Sequence, residues 1–175
     1  DDERDNAGFD QQGAYANLGY QITENFVLRT DLTHMTYLAQ QPGGLTDAQF
    51  EEDALQTNRT RNWFEVNWNL LSVSGQWQIT KEALFDFRVF GLLASRGSVG
   101  SLERADRIDN LDLYRTLVWD DYLNQGGEFR YLQKYSLGNQ SAAFLAGLRL
   151  YNGNLNRKSA VGSSGIDADL EEVSV

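Results

Sequence analysis

Residues 62–97 read NWFEVNWNLLSVSGQWQITKEALFDFRVFGLLASRG. In the second half of this stretch Ala83, Phe85, Phe87, Val89, Gly91 and Leu93 recur at every other position, with Leu84, Asp86, Arg88, Phe90, Leu92, Ala94 and Arg96 between them. Side chains of a β-strand alternate between its faces, so this is one continuous apolar face backed by a mixed, charged one. The first half alternates in the same way, with Phe64, Val66, Trp68 and Leu70 set against Glu65, Asn67 and Asn69. Ile79, Thr80, Lys81 and Glu82 form a very short turn between the two. A soluble hairpin uses strands of about 5–6 residues; a tilted strand that crosses a bilayer needs about 9–11. One irregularity stands out. The apolar register is even up to Leu70 and odd from Leu71 through Val73 and Trp77. A one-residue slip turns every later side chain to the other face, so a β-bulge near Leu70 and Leu71 is expected.

The same hairpin recurs on both sides. In 13–22, Ala14, Ala16, Leu18, Tyr20 and Ile22 share a face; in 26–40, Phe26, Leu28, Thr30, Leu32 and Leu38 do, with His34 beside them. Residues 121–137 place Leu123, Phe129, Tyr131, Tyr135 and Leu137 opposite Asn124, Glu128, Arg130 and Lys134. Residues 141–155 place Ala142, Phe144, Ala146, Leu148 and Leu150 opposite Arg149. Thr23–Asn25 and Gly138–Gln140 are tight turns. Long connections run over about 41–61, 98–120 and 156–175. Thr46 followed by Gln49 has capping-box spacing, which predicts a short helix over 46–55; a second is expected within 101–110.

All tight turns thus fall at one end and all long loops at the other, as in outer-membrane barrels. Tyr20, Phe26, Tyr37, Trp63, Trp77, Phe85, Tyr135 and Tyr151 lie near strand ends, where interfacial aromatic girdles sit. The fold expected is all-β: part of an antiparallel up-and-down transmembrane β-barrel, about six long strands in three hairpins, with short periplasmic turns and long extracellular loops. Arg29, Asp31, Asp86, Arg88, Glu128, Arg130 and Arg149 then face the lumen, since an arginine at the lipid midplane costs about 2–4 kcal/mol. A soluble sandwich would alternate in the same way; strand length and loop asymmetry favour the membrane.

Composition narrows the function. The chain has 175 residues and a formal net charge of −10, which argues against a nucleic-acid partner, whose phosphates call for a basic face. Its mean hydropathy of −0.49 fits long hydrophilic loops. No apolar run is long enough for a transmembrane helix, which leaves a membrane barrel open. With Cys 0, disulfides and thiol chemistry are excluded. A single histidine, His34, argues against a Ser-His-Asp triad or a histidine-rich metal site. Asp1, Asp2, Glu3 and Asp5 are acidic without the spacing of a calcium loop. Asp167, Asp169, Glu171 and Glu172 read as a solvated loop rather than a divalent-ion site.

The segment Gly43-Gly44-Leu45-Thr46-Asp47-Ala48-Gln49-Phe50, followed by Arg61-Asn62-Trp63-Phe64 and Trp68-Asn69-Leu70-Leu71, resembles the TonB-dependent outer-membrane receptors for ferric dicitrate. Phe90-Gly91-Leu92 with Ser95-Arg96, and Arg149-Leu150-Tyr151 with Arg157-Lys158, are similar to strands that follow in that family. The resemblance runs from about Gly13 to Asp169 and implies that 1–175 is part of a barrel of about 22 strands. The family's plug and its energy-coupling box lie outside this stretch. What the resemblance implies is uptake of an iron chelate such as ferric dicitrate across the bacterial outer membrane. It implies energy coupling through TonB-ExbB-ExbD, contact with outer-membrane lipid and lipopolysaccharide, no enzyme activity, and no cofactor, iron entering only within the cargo.

Such a ligand is anionic, and a planar guanidinium fork suits its carboxylates. The loop-side candidates are Arg61 and Arg96, then Arg59, Arg104 and Arg107, with Gln49 and Asn62 behind them. Two other readings are a soluble secreted all-β module binding glycans or proteins through Trp63, Trp68 and Tyr151, and a barrel-wall enzyme using His34.

Overall fold

The computed structural model describes residues 4–174, so Asp1, Asp2 and Glu3 of the acidic opening lie outside the described residues. Six strands form one antiparallel sheet in strict sequence order: β1 (Phe9–Thr23), β2 (Phe26–Gln40), β3 (Trp63–Gln78), β4 (Ala83–Gly100), β5 (Arg115–Leu137) and β6 (Gln140–Gly162). It is an up-and-down β-barrel portion that does not close: β1 and β6 are free edges. The strands run from 15 to 23 residues, three to four times the usual length. No second layer covers the sheet among the described residues, and its few buried apolar side chains are Ala39, Ala83, Leu92, Val99 and Leu117.

The tight turns follow from their residues. Leu137 pairs with Gln140 across Gly138 and Asn139, and Gly138 has φ 61°, which a hairpin turn of this length requires and glycine supplies without strain. At the middle hairpin the Thr80 hydroxyl accepts from the amides of Glu82 (3.2 Å) and Ala83 (3.0 Å). At the other end, α1 (Asp47–Glu52) is a single turn and a half set by a complete capping box between Thr46 and Gln49. It is shorter than the expected 46–55, and residues 101–110 form no helix.

The register assigns every strand residue to a face. One face carries Phe26, Trp77, Phe85 and Tyr131 in a single row toward the turns. Above it come Tyr20, Leu28, Gly75, Phe87, Phe129 and Leu148, then Leu18, Thr30, Val73, Val89, Gly127 and Leu150. The next rows are Ala16, Leu32, Leu71, Gly91, Gln125 and Asn152, and Ala14, His34, Asn69, Leu93, Leu123 and Asn154. No Asp, Glu, Lys or Arg interrupts these rows. From Phe85 to Leu93 the band is about 20 Å tall at a ~3.3 Å rise and a ~40° tilt, close to the ~25 Å of barrel belts. Gly75 belongs to it for a steric reason: a Cβ there would lie 2.2 Å from the Phe87 ring, which folds over the bare backbone.

The structure corrects the expected bulge. Pairing runs without a shift through Thr33–Leu70–Leu92 and Leu32–Leu71–Gly91; the register shift in this sheet falls between Gln21 and Thr23 instead. Phe64, Val66, Trp68 and Leu70 therefore lie on the face opposite Leu71's neighbours Val73 and Trp77. The apolar residues change face because the strand leaves the apolar band at Leu71; above it the first face is met by the 163–174 segment, with Leu170 over Gly97 and Trp63 Nε1 donating to the Ile166 carbonyl, and the second face carries apolar side chains of its own. Tyr37 meets Phe64 there, ring centroids 6.4 Å apart. Tyr37 and Tyr151 likewise sit on that second face and are not part of a girdle. Three strands also reach farther than expected: β4 continues to Gly100, β5 begins at Arg115 and β6 runs to Gly162, so the loops at 98–120 and 156–175 shorten to 101–114 and, among the described residues, 163–174.

Candidate functional site

Above the band, the chain ends and loops are gathered by three buried arginines. Arg59 donates from Nη1 to the carbonyls of Asn58 (2.9 Å) and Arg107 (2.7 Å), and from Nη2 to those of Glu103 and Arg104 (3.0 Å). Arg61, 1% exposed, meets Asp109 through Nε (2.7 Å) and Nη2 (3.1 Å). Its remaining donors reach the carbonyls of Asn110, Leu113 and Ser164. Arg115 donates to the Ser163 carbonyl (2.9 Å), the Arg61 carbonyl (3.1 Å) and the Asp167 carbonyl (2.6 Å). A guanidinium is a rigid fork of five donors, and each of these forks is committed to main-chain oxygens that an irregular loop would otherwise leave unpaired. Asn62 clips the 101–114 loop in the same manner, accepting from the Ser101 amide (2.8 Å) and donating to its carbonyl (3.1 Å). The Gln49 side chain completes the capping box by accepting from the Thr46 amide (2.9 Å), and its main-chain carbonyl accepts from Gln56 Nε2. Arg104 and Arg107 are exposed on the 101–114 loop, Arg104 beside Asp106 at 3.2 Å.

The second face of the sheet carries the charge. Arg29, Arg88, Glu128 and Arg149 share one row with Gly19 and Ser74; Asp86 and Arg130 lie in the next, and Asp31 in the row on the other side. Glu128 takes Arg130 at 3.2 Å and Arg149 at 3.4 Å. Asp31 accepts from Tyr15 and Asn17, each at 2.7 Å. Nearer the loops, Asp120 sits between Arg96 on β4 and Arg157 on β6 in one row. Arg157 grips it bidentately, Nε to Oδ1 at 2.6 Å and Nη2 to Oδ2 at 2.9 Å, and Arg96 bonds Oδ2. This row lies above the apolar band. The hydrogen bond from Arg157, and then that from Arg96, hold the Asp120 carboxyl well below the ordinary carboxylate range against the opposing effect of its burial. Asp120 is fully buried while the Arg96 and Arg157 side chains are 43% and 56% exposed, so one carboxylate orients two guanidinium groups whose outer edges stay open and whose sum is one positive charge.

Across this face Arg29, Arg88, Arg96, Arg130, Lys134, Arg149 and Arg157 outnumber Asp31, Asp86, Asp120 and Glu128, in a chain of net charge −10. The excess acidity resides in the loops and chain ends. A cavity of about 340 Å³ opens on this wall, lined by Arg29, Ser74, Gln76, Arg88 and Glu128 among others. Of the residues expected at a ligand site, Arg96 alone lies on this wall; Arg59, Arg61 and Asn62 are buried within the loop cap, and Arg104 and Arg107 lie on its surface. Sequence reading missed Asp120, Arg157 and Arg115. Arg157 keeps the odd-numbered phase of Arg149 and Tyr151, so carrying the alternation past Leu155 finds it; the polar run from Asn156 hid the strand. Trp63 lies on the first face and Trp68 and Tyr151 on the second, so these three form no common platform. His34 Nδ1 is 2.8 Å from Asn69 Oδ1 at the upper edge of the apolar band.

No protein-family model matches the chain, and no curated protein does. Among solved structures, the ferric citrate transporter FecA in its unliganded form is similar, with a TM-score of 0.79 and 20% identity over 92% of this chain. The match covers 23% of FecA, so this chain spans about a quarter of that protein's length, and the likeness is one of fold.

Proposed function

We propose that this chain is a stretch of barrel wall from an outer-membrane, TonB-dependent transporter that takes up an anionic iron chelate such as ferric citrate. The observation that carries the reading is the division between the two faces: an apolar band free of Asp, Glu, Lys and Arg on one, and an arginine-rich surface on the other. The first suits lipid and the second suits an enclosed passage for an anion. The fold likeness to a ferric citrate transporter supports the same assignment. In this reading the chemistry is recognition and passage, and energy coupling comes from parts of the receptor outside this stretch.

Arg96 and Arg157 are the wall's best-placed contacts for the chelate's carboxylates, held apart and aimed by Asp120. Arg104 and Arg107 offer a first contact on the loop surface. Arg59, Arg61, Asn62 and Gln49 act on the ligand only by shaping the loops. The test is a ferric citrate titration of the full-length receptor in detergent. The double variant Arg96→Ala, Arg157→Ala is expected to weaken binding at least about tenfold, as loss of charge-assisted hydrogen bonds of about 1.5–3 kcal/mol each implies. Unchanged affinity would remove the wall site from the account.

A further inference from the structure

The first face holds a feature that anion transport does not use. At the upper edge of the apolar band, Asn69 and Asn67 on β3 stand opposite Asn154 and Asn156 on β6, the first of each pair in the band's top row and the second in the row above. With β4 and β5 between them, the two pairs are about 14 Å apart, three inter-strand spacings of ~4.8 Å. They wall a cavity of about 400 Å³. Its floor is apolar and open: Leu93 is 61% exposed and Leu123 49%. Ser95 and Asp121 stand in the row above that floor.

The hydrogen bonding within the groove is directional. Asn69 lies against His34 through Oδ1 (2.8 Å) and donates to Asn67 Oδ1 (2.7 Å), which turns the Asn67 amide nitrogen outward as a donor. Asn154, Asn156 and Ser95 make no side-chain hydrogen bond among the described residues. Asp121 accepts from Trp119 Nε1 (3.0 Å) through one oxygen and leaves the other free. No Lys or Arg lines the cavity.

We infer that this groove binds an uncharged saccharide head group of a membrane glycolipid. The inference rests on the reading of the apolar band as lipid-facing, which sets the groove at head-group depth. Amides supply both donors and acceptors to hydroxyl groups, the leucines accept the C–H face of a sugar ring, and the Asp121 carboxylate, with no Lys or Arg in the cavity lining and Lys158 of the next row paired to Glu172, disfavours a phosphate-bearing head group.

The experiment uses the full-length protein reconstituted in phosphatidylcholine vesicles containing a small fraction of pyrene-labelled digalactosyl diacylglycerol, with pyrene-labelled phosphatidylcholine or phosphatidylglycerol as the comparison probes. Energy transfer from tryptophan reports lipid enrichment around the protein. The expected result is about fivefold enrichment of the glycolipid over phosphatidylcholine, falling to parity in Asn154→Ala, Asn156→Ala and in Asn67→Ala, with ferric citrate binding unchanged. Asp121→Lys should shift preference to phosphatidylglycerol. Equal partitioning of all three probes by the wild type, or enrichment that survives the asparagine variants, would overturn the inference. Protease protection of the vesicle-inserted protein is read in the same samples: protection with no enrichment rejects the saccharide groove alone, whereas loss of protection rejects the membrane reading beneath it.

Discussion

At the scale of single residues, the arginines of this chain divide by what their donors meet. Arg61 and Arg104 look alike in the sequence, both loop-side and both suited to a carboxylate. The fold makes Arg61 the buried centre of the loop cap and leaves the Arg104 side chain 82% exposed. Removing Arg61 leaves Asp109, itself 5% exposed, as an unpaired buried charge, at about 3–5 kcal/mol. Arg61→Ala is therefore expected to loosen residues 101–114 and lower the denaturant midpoint of the detergent-solubilised protein, whereas Arg104→Ala should leave it within about 0.5 kcal/mol; chemical denaturation with limited trypsin digestion checks both. Burial of this kind is not visible in a local pattern, because it depends on loops far apart in sequence meeting over the sheet.

Asp120 gives the residue scale a pH dependence. Its folded carboxyl titrates below its unfolded value of about 3.9, so the folded state binds fewer protons in acid. The stabilisation is fully present above about pH 4 and is lost as pH falls through the folded value. Asp120→Asn should lower stability by the same amount at pH 5 and pH 8, a flat difference that paired denaturation curves measure; a difference growing between those values would point to another titrating group.

At the scale of elements, hairpin count, turn positions, strand faces and the capping box at Thr46 were legible because each is written in short-range alternation or fixed spacing. β3 shows where that signal stops. Alternation locates apolar residues within a face but does not say which face is buried at each height, and a strand that passes from an apolar band to a packed loop-side region switches its apolar phase with no change in backbone register. The expected bulge at Leu70 and Leu71 was the reading of that switch as a backbone event; the continuous pairing through Leu70–Leu92 and Leu71–Gly91 shows it to be a change of surroundings. Two neighbouring substitutions separate the faces. Val73→Arg in mid-band is expected to cost about 2–4 kcal/mol in lipid, and Ser74→Arg, one residue on and turned toward Arg29 and Arg88, markedly less. Refolding into vesicles at graded denaturant measures both, and equal costs would mean that the two faces share one environment.

At the scale of the whole molecule, the sheet has two open edges, two uncovered faces and almost no apolar core. Such a sheet has no core of its own, and its energetics depend on what meets each face and each edge. In the proposed reading the ligand site is legible only in part for the same reason: a passage is defined by what lies across it, and the sequence of one wall specifies the chemistry of its lining but not the partner it faces. Within this stretch the lining is nonetheless specific, with Asp120 holding Arg96 and Arg157 above and Glu128 holding Arg130 and Arg149 below. The chain contains no cysteine, so single cysteines can be introduced along β3 and β4 without background from it, and labelled with a nitroxide in the full-length protein in lipid vesicles. The account predicts that labels at Leu71, Val73, Trp77, Phe85, Phe87, Val89 and Leu93 collide with lipid-dissolved oxygen, while those at Ser72, Ser74, Gln76, Asp86 and Arg88 collide with a water-soluble relaxation agent. Water-phase collisions at the first set would contradict it.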